Sequence, residues 1–135
     1  MTMATLLKVE AYVTFTGRVS DDILMEVLST ADVCVNPDVV NDMNDKSTMN
    51  KIMEYMALGK PIVQFEMTEG RFSAQDASLY AEPNNPESLI KKIIEVLDNP
   101  EMGKKMGDFG RKRIVSKLAW KHEISKLLAA YKALE

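Results

Sequence analysis

The chain has 135 residues, of which 46% are hydrophobic and 27% are charged, and its formal net charge is −3. This length fits one domain, and the slight excess of acids gives no reason to expect a nucleic-acid partner. The only cysteine, Cys34, lies in the apolar run 33–35, which excludes an intramolecular disulfide; we interpret it as a core residue and expect a reducing compartment.

The first predicted elements are a strand, a helix and a second strand. Alternating apolar and polar residues, several of them β-branched, predict a strand over 12–16, which ends at Gly17. Ser20 and the two acids after it predict the start of a helix. Its predicted apolar face consists of Ile23, Leu24, Val27 and Leu28. A short buried strand over 33–36 follows and ends before Pro37.

A polar loop over 38–46 leads into a second helix. Its apolar stripe, at i, i+3, i+4 and i+7, consists of Met49, Ile52, Met53 and Met56. Asp45 or Ser47 is expected to cap its first turn, and Gly59 supplies a left-handed residue at its end. Amides at this helix start, with lysines nearby, would favour a phosphate. The residues alone leave open whether this is an anion site or an ordinary capped helix.

The remaining elements are two strands and three helices. Strands are predicted over 62–65 and 79–81, with a polar loop between them. Helices are predicted from Asn85 and Pro86 to about residue 98, over 100–118 and over 119–134. The last helix has an apolar side that consists of Trp120, Ile124, Leu127, Leu128 and Tyr131.

Strands separated by helices predict an α/β fold: a Rossmann-like open parallel sheet flanked by helices, with a helical C-terminal tail. Ligands of such sheets bind beyond the carboxyl ends of the strands. Three loops leave those ends, at Gly17, after Pro37 and after Phe65, and we expect them to converge on one crevice.

Basic residues concentrate near the C-terminus, at Lys104, Lys105, Arg111, Lys112, Arg113, Lys117 and Lys121. They could approach an anionic membrane surface, but the acids among them favour a solvated helix face. No apolar run is long enough to span a bilayer. The expected localisation is cytoplasmic, with peripheral association at the inner face of the membrane as the alternative. The single histidine, His122, is interpreted as a surface or boundary residue rather than a metal ligand.

A resemblance to a known family is carried by the segments VTFTGRV (13–19), STADV (29–33), NP (36–37), EYMALGKPIV (54–63), DNPE (98–101), MGDFGR (106–111) and LAW (118–120). In this order and spacing they resemble the C-terminal, donor-binding domain of retaining glycosyltransferases of the GT-B fold, family 4, also called glycosyl transferases group 1. The resemblance covers nearly the whole chain from about Val9.

The resemblance implies a site for a nucleotide sugar linked to UDP or GDP. Glu54 matches the second acid of the family's Glu-x7-Glu element and would hold the ribose hydroxyls. The residues implied to bind the donor diphosphate are Lys46, Ser47, Thr48 and Lys51, and those implied to lie near the base are Gly17, Arg18 and Val19. No cofactor and no metal ion is implied, because cations and amides stabilise the leaving diphosphate in this family.

The chain departs from the family pattern at two points. Lys46 stands where the family has its first acid, so contacts to the donor sugar would come from Asn44 or Asp45. Residues 1–8 show neither a Gly-rich turn nor a basic pair, both expected of the first βα units of the family. We therefore interpret residues 1–135 as one incomplete domain, with its α/β part at about 9–82 and helices over 85–135.

The function that follows is the donor-binding part of a retaining glycosyltransferase that acts on a glycan or lipid acceptor, as in polysaccharide biosynthesis. Its acceptor domain would be supplied in cis or in trans, and the isolated chain is expected to show little or no turnover. The alternatives are a subunit of a split glycosyltransferase and a non-catalytic α/β module that binds a partner chain or forms a homodimer. A sugar-nucleotide epimerase is disfavoured, because it would need further acids and histidines.

Overall fold

A computed structural model describes residues 3–134. Its centre is a three-stranded parallel sheet in the order β1–β2–β3, formed by β1 (Cys34–Asn36), β2 (Ile62–Phe65) and β3 (Ser78–Ala81). Asn36 pairs with Gln64, which in turn pairs with Tyr80. The predicted α/β class and parallel sheet are confirmed.

Helices precede, connect and follow the strands. They are α1 (Met3–Leu6), α2 (Asp21–Thr30), α3 (Asp42–Asp45), α4 (Asn50–Ala57), α5 (Thr68–Ala74), α6 (Pro86–Leu97), α7 (Pro100–Arg113) and α8 (Ile124–Lys132). Short 3-10 turns lie at Glu10–Tyr12, Gln75–Ala77 and Trp120–His122, and α7 continues as a π-helical turn over Ile114–Leu118. The helical C-terminal tail is therefore confirmed. Within residues 3–134, no helix combines the length and apolar character needed to cross a membrane.

Two apolar clusters cover the two faces of the sheet. One joins the odd-numbered residues of β2 to α6 and α7; its buried members are Val63, Phe65, Ala81, Leu89, Val96 and Met106. The other joins Ile62 to α4 and to the segment after β2; its buried members are Ile52, Met56, Ile62, Ala74 and Ala77. Cys34 is buried, as predicted. The ion pair between Lys51 and Asp38, which follows β1, places the first turn of α4 near the carboxyl end of β1.

The strand predicted over 12–16 is wrong. The chain forms a 3-10 turn at Glu10–Tyr12 and then runs without regular structure to Gly17, and Tyr12 is 88% exposed. A strand needs a neighbour to accept and donate its backbone hydrogen bonds. In the described part of the chain, β1 pairs with β2 and β2 pairs with β3, and this segment pairs with none of them.

The start of α2 follows the prediction, but its apolar face is not buried. Ser20 caps the helix by accepting from the backbone N–H of Ile23 at 3.5 Å. No residue of α2 is buried, although its apolar side chains lie on one side. The predicted last helix also differs, because α8 begins at Ile124 and its apolar side is exposed. Amphipathic spacing thus predicted both helices without predicting what covers them.

The Tyr80 side chain gives a prediction for alkaline pH. Its hydroxyl donates to the carbonyl oxygen of Gln75 at 2.8 Å, and the guanidinium of Arg71 lies 4.0 Å from its ring centre. Burial raises the pKa of Tyr80 from 10.0 to about 12, although Arg71 opposes the shift. Because the folded pKa is the higher one, this group's contribution to stability is complete below pH 10 and is lost as the pH rises through about 12.

An absorbance titration of the phenolate groups checks this. We expect the last ionisation step near pH 12 to disappear in Tyr80→Phe and to persist in Tyr131→Phe, because Tyr131 is an exposed control. A last step that survives in Tyr80→Phe would contradict the assignment.

Candidate functional site

The start of α4 differs from the prediction in position and in capping. The helix begins at Asn50, with Met49 as its N-cap residue, and no side chain accepts a hydrogen bond from its first amides. Ser47 instead donates its hydroxyl to the carbonyl oxygen of Met43 at 2.6 Å, and Asp45 bonds to another helix. Both expected caps are therefore wrong. The backbone N–H groups in the first turn of α4 donate to no capping side chain.

The polar loop after β1 contains the short helix α3. Asn41 caps it by accepting from the N–H groups of Met43 and Asn44, at 3.1 and 2.9 Å. The Asn44 side chain donates to the carbonyl oxygen of Val39 at 2.8 Å, which closes the loop on itself. The predicted polar loop is thus partly helical. Asn44, which was predicted to contact the donor sugar, uses its side-chain amide for a hydrogen bond within this loop.

Two of the three predicted loops meet at the carboxyl ends of the strands. Asp45, in the loop after β1, accepts from the backbone N–H of Thr68 at 2.7 Å and so caps α5. This bond, with that of the Thr68 hydroxyl, lowers the pKa of the Asp45 carboxyl. Thr48 donates to Oε1 of Glu69 at 2.7 Å, and Ser73 donates to the same oxygen at 3.2 Å. The bonds of Asp45 and Thr48 hold the segment in front of α4 against the first turn of α5.

The charged groups predicted to bind the donor fall into two sets. The ammonium of Lys51 forms an ion pair with Asp38 at 2.7 Å, and both side chains are partly exposed. The side chains of Lys46 and Glu54 are exposed and make no hydrogen bond or ion pair with any described residue. Glu54 lies four residues after the start of α4, on the same helix as Lys51. The carboxylate of Glu54 can therefore accept hydrogen bonds from a ligand.

The segment Gly17, Arg18 and Val19 is not bonded to this cluster. Gly17 has a φ of +62° and an added Cβ would meet no atom within 4 Å, so the turn lies in open space. The Arg18 side chain makes no hydrogen bond or ion pair within residues 3–134. The third predicted loop does not leave the edge of the sheet, because residues 12–16 form no strand in the described part of the chain.

The structure adds four residues that the sequence did not assign to the site. Asp38 and Glu69 bind two of the predicted donor-site side chains. Below them, Asn36 and Gln64 are fully buried neighbours on adjacent strands; both side-chain polar atoms of Asn36 and Oε1 of Gln64 have no hydrogen-bond partner. The signal for Asn36 and Asp38 was their place on either side of Pro37, at the end of a buried strand.

Among the residues that the structure describes, no three His, Cys, Asp or Glu side chains lie close enough to hold an ion together. His122 is half-buried, and its Nε2 lies 3.0 Å from the carbonyl oxygen of Val115, which agrees with the predicted boundary position.

Comparisons with known proteins agree with the fold. The family described as "Glycosyl transferases group 1" matches residues 2–99. No curated protein matches the chain in sequence. The structure is similar to that of sucrose-phosphate synthase from Thermosynechococcus elongatus, with a TM-score of 0.85 and 22% identity over 97% of this chain. The chain spans 32% of that protein's length, and the likeness shows a shared GT-B fold.

Proposed function

Because the chain belongs to the glycosyl transferases group 1 family, we propose that it is the donor-binding part of a retaining glycosyltransferase. It binds a UDP- or GDP-linked sugar, which is transferred to a glycan or lipid acceptor held by another domain. One observation carries the proposal: α4 has a first turn that no side chain caps, followed on the same helix by the unpaired carboxylate of Glu54.

The first turn of α4 is the proposed diphosphate end of the site. The N–H groups of Asn50 and Lys51 are amides that cannot bond within the helix, and the helix dipole adds partial positive charge there. Lys46 and Lys51 supply two cations beside them. A diphosphate would compete with Asp38 for the ammonium of Lys51, since both are anions within reach of the same flexible side chain.

The hydroxyls of Ser47 and Thr48 have a different part in this proposal. Each already donates its hydrogen, to the Met43 carbonyl and to Glu69 respectively. They therefore fix the loop in front of α4, and the amides of α4 carry the direct phosphate contacts.

Glu54 is the proposed ribose contact. One helical turn rises about 5.4 Å. A carboxylate one turn after the phosphate-binding amides is therefore close enough to contact a ribose joined to the diphosphate. An ionised carboxylate accepts from two hydroxyls at once, and the 2′- and 3′-hydroxyls of ribose provide two donors. The exposed carboxylate of Glu54 has no competing partner in the described chain.

Titration with UDP and GDP, followed by NMR, tests the proposal. We expect both the amides of 49–54 and the Lys51 side chain to shift, in the presence and in the absence of a metal chelator. Glu54→Ala is expected to weaken nucleotide binding by about tenfold or more, since hydrogen bonds to a charged group contribute about 1.5 to 3 kcal/mol each.

Glu26→Ala is the matched control. Glu26 is also an exposed glutamate in the middle of a helix without a hydrogen bond or ion pair to a described residue, and it lies in α2, which carries none of the proposed donor-site residues. Its removal should leave nucleotide binding unchanged. Absence of any shift at 49–54 with millimolar nucleotide would rule out the proposed donor site.

A further inference from the structure

A small cavity lies between α7, with its π-helical turn, and the 3-10 turn that precedes β3. Its volume is about 200 Å³, and it is lined by Gln75, Phe109, Lys112, Arg113, Ser116 and Lys117. We call it the α7 cavity. It lies beside the segment before β3, whereas the proposed donor site follows the ends of β1 and β2, so the two share no residue. Residues 3–33 contribute nothing to its lining.

One face of α7 and its π-helical turn supplies five of the six lining residues. From Phe109 onward they stand at i, i+3, i+4, i+7 and i+8, a spacing that places side chains on one side of a helix. Three of them are cations, and none is an acid. Lys112, Ser116 and Lys117 are exposed, whereas Phe109 is half-buried and packs against the apolar cluster of α4. The cavity therefore has a cationic rim and an aromatic wall.

Arg113 is a buried cation that no described carboxylate pairs. It is 9% exposed, and its Nε and Nη2 each donate a hydrogen bond to a neutral carbonyl oxygen, those of Ser73 and Phe72. It forms no ion pair with a described residue. A guanidinium has five N–H donors, so these two bonds leave three of them for a ligand. Because a buried charge is costly unless it is paired, an anion in the α7 cavity would be stabilised there.

The two lysines on the rim of the cavity are unpaired as well. Asp108 lies four residues before Lys112 and could pair with it across one helical turn, but its carboxylate bonds to Lys104 at 2.5 Å instead. Neither Lys112 nor Lys117 makes an ion pair or a hydrogen bond with a described residue. The cavity thus collects three positive charges that no acid of the described chain neutralises.

The backbone around the cavity is irregular at two places. Gln75, the residue that ends α5, has a φ of +48°, a left-handed value that residues with a side chain rarely adopt. Ser116 and Lys117 lie in the π-helical turn. Strained residues and π-helical turns both occur often at functional sites. The side chains of Gln75 and Ser116 are not bonded to a described residue, so an amide and a hydroxyl are also free to donate.

We propose that the α7 cavity binds a small phosphate monoester, with its phosphate between Arg113 and the two lysines and its organic group against Phe109. A phosphate monoester carries a charge of about −1.5 to −2 at neutral pH and has three acceptor oxygens, whereas a carboxylate has one charge and two oxygens. Three cations and two neutral donors therefore match the phosphate better. The volume equals that of about seven water molecules, which is too small for a whole nucleotide sugar. This site is independent of the proposed donor site on α4.

Titration of the chain with phenyl phosphate, followed by NMR, tests the site. We expect saturable shifts of the amides over 75–77 and 109–117. Benzoate, which joins the same ring to a carboxylate, should bind about tenfold more weakly or less. The double variant Lys112→Met with Lys117→Met is expected to weaken phenyl phosphate binding by about tenfold or more, because it removes two charge-assisted contacts. Circular dichroism checks that it remains folded, which is expected because both lysines are exposed.

Lys91→Met with Lys105→Met provides the matched control. These lysines are also exposed and make no hydrogen bond or ion pair with a described residue, but they do not line the α7 cavity. This variant loses the same charge and should bind phenyl phosphate as the wild type does. Equal affinities of the two double variants, shifts confined to 49–54 in the proposed donor site, or no saturable shift at 109–117 with millimolar phenyl phosphate would overturn the proposal. Benzoate binding as tight as that of phenyl phosphate would overturn the choice of a phosphate.

Discussion

Gly107→Ala is expected to lower the free energy of unfolding by about 3 kcal/mol or more. Gly107 lies in α7 against the left-handed residue Gly59, which ends the turn after α4 and has a φ of +68°. A Cβ at Gly107 would stand 1.9 Å from the carbonyl oxygen of Gly59 and 2.7 Å from its carbonyl carbon. Backbone atoms cannot move aside as the end of a flexible side chain does, so α7 would have to separate from α4.

Gly103→Ala is the control for this change. Gly103 lies one turn earlier in the same helix, and an added Cβ there would make ordinary contacts, at 3.4 Å to Val96 and 3.6 Å to Pro61. Alanine is favoured over glycine in a helix by about 1 kcal/mol, so this variant should be unchanged or slightly more stable. Chemical denaturation measures both. Equal stabilities of the two variants would show that the helices separate at little cost.

Secondary-structure elements whose start and end are determined by neighbouring residues could be predicted from the sequence. Asn85 accepts from the N–H groups of Glu87 and Ser88, both at 3.1 Å, and Pro86 fills the first position of α6, so the start of this helix was encoded within four residues. The left-handed Gly59 likewise ended the predicted helix where α4 ends its last turn. Short apolar runs between such signals then gave the three strands of the sheet.

Elements that depend on a distant partner could not be predicted. The composition of 12–16 is that of a strand, but in the described chain this segment pairs with no strand of the sheet. The spacing of apolar residues in α2 predicted a buried face, but in the described chain no residue of α2 is buried and much of that face is exposed. Periodicity reports which side of an element is apolar, and a tertiary neighbour decides whether that side is buried.

The same distinction applies to the candidate site. The helix that carries Lys51 and Glu54 was predicted from its own residues. Its capping was not, because Asp45 bonds to Thr68 and Thr48 bonds to Glu69, which are residues about twenty positions away. A carboxylate or hydroxyl before a helix predicts a cap only where no other helix start competes for it.

Arg113→Met is expected to destabilise the fold by about 2 to 4 kcal/mol, because Arg113 is a buried cation with two hydrogen bonds to backbone carbonyls. Its Nε donates to the carbonyl oxygen of Ser73 and its Nη2 to that of Phe72, both at 2.9 Å. These carbonyls lie in the last turn of α5, where the helix dipole also stabilises a positive charge. Methionine fills similar space but leaves both bonds unmade.

Lys112→Met is the matched control for Arg113→Met. Lys112 is the exposed neighbour in the same helix, and its loss should change stability by no more than about 0.5 kcal/mol. Thermal unfolding compares the two variants, and hydrogen exchange reports the amides over 71–75, which should exchange faster only in Arg113→Met. The first turn of α5 bears Thr68 and Glu69, so loosening its last turn should also shift the NMR signals of Asp45 and Thr48. Unchanged exchange of these amides in Arg113→Met would mean that apolar contacts alone hold α5 in place. The two hydrogen bonds of Arg113 would then not connect α7 to the candidate site.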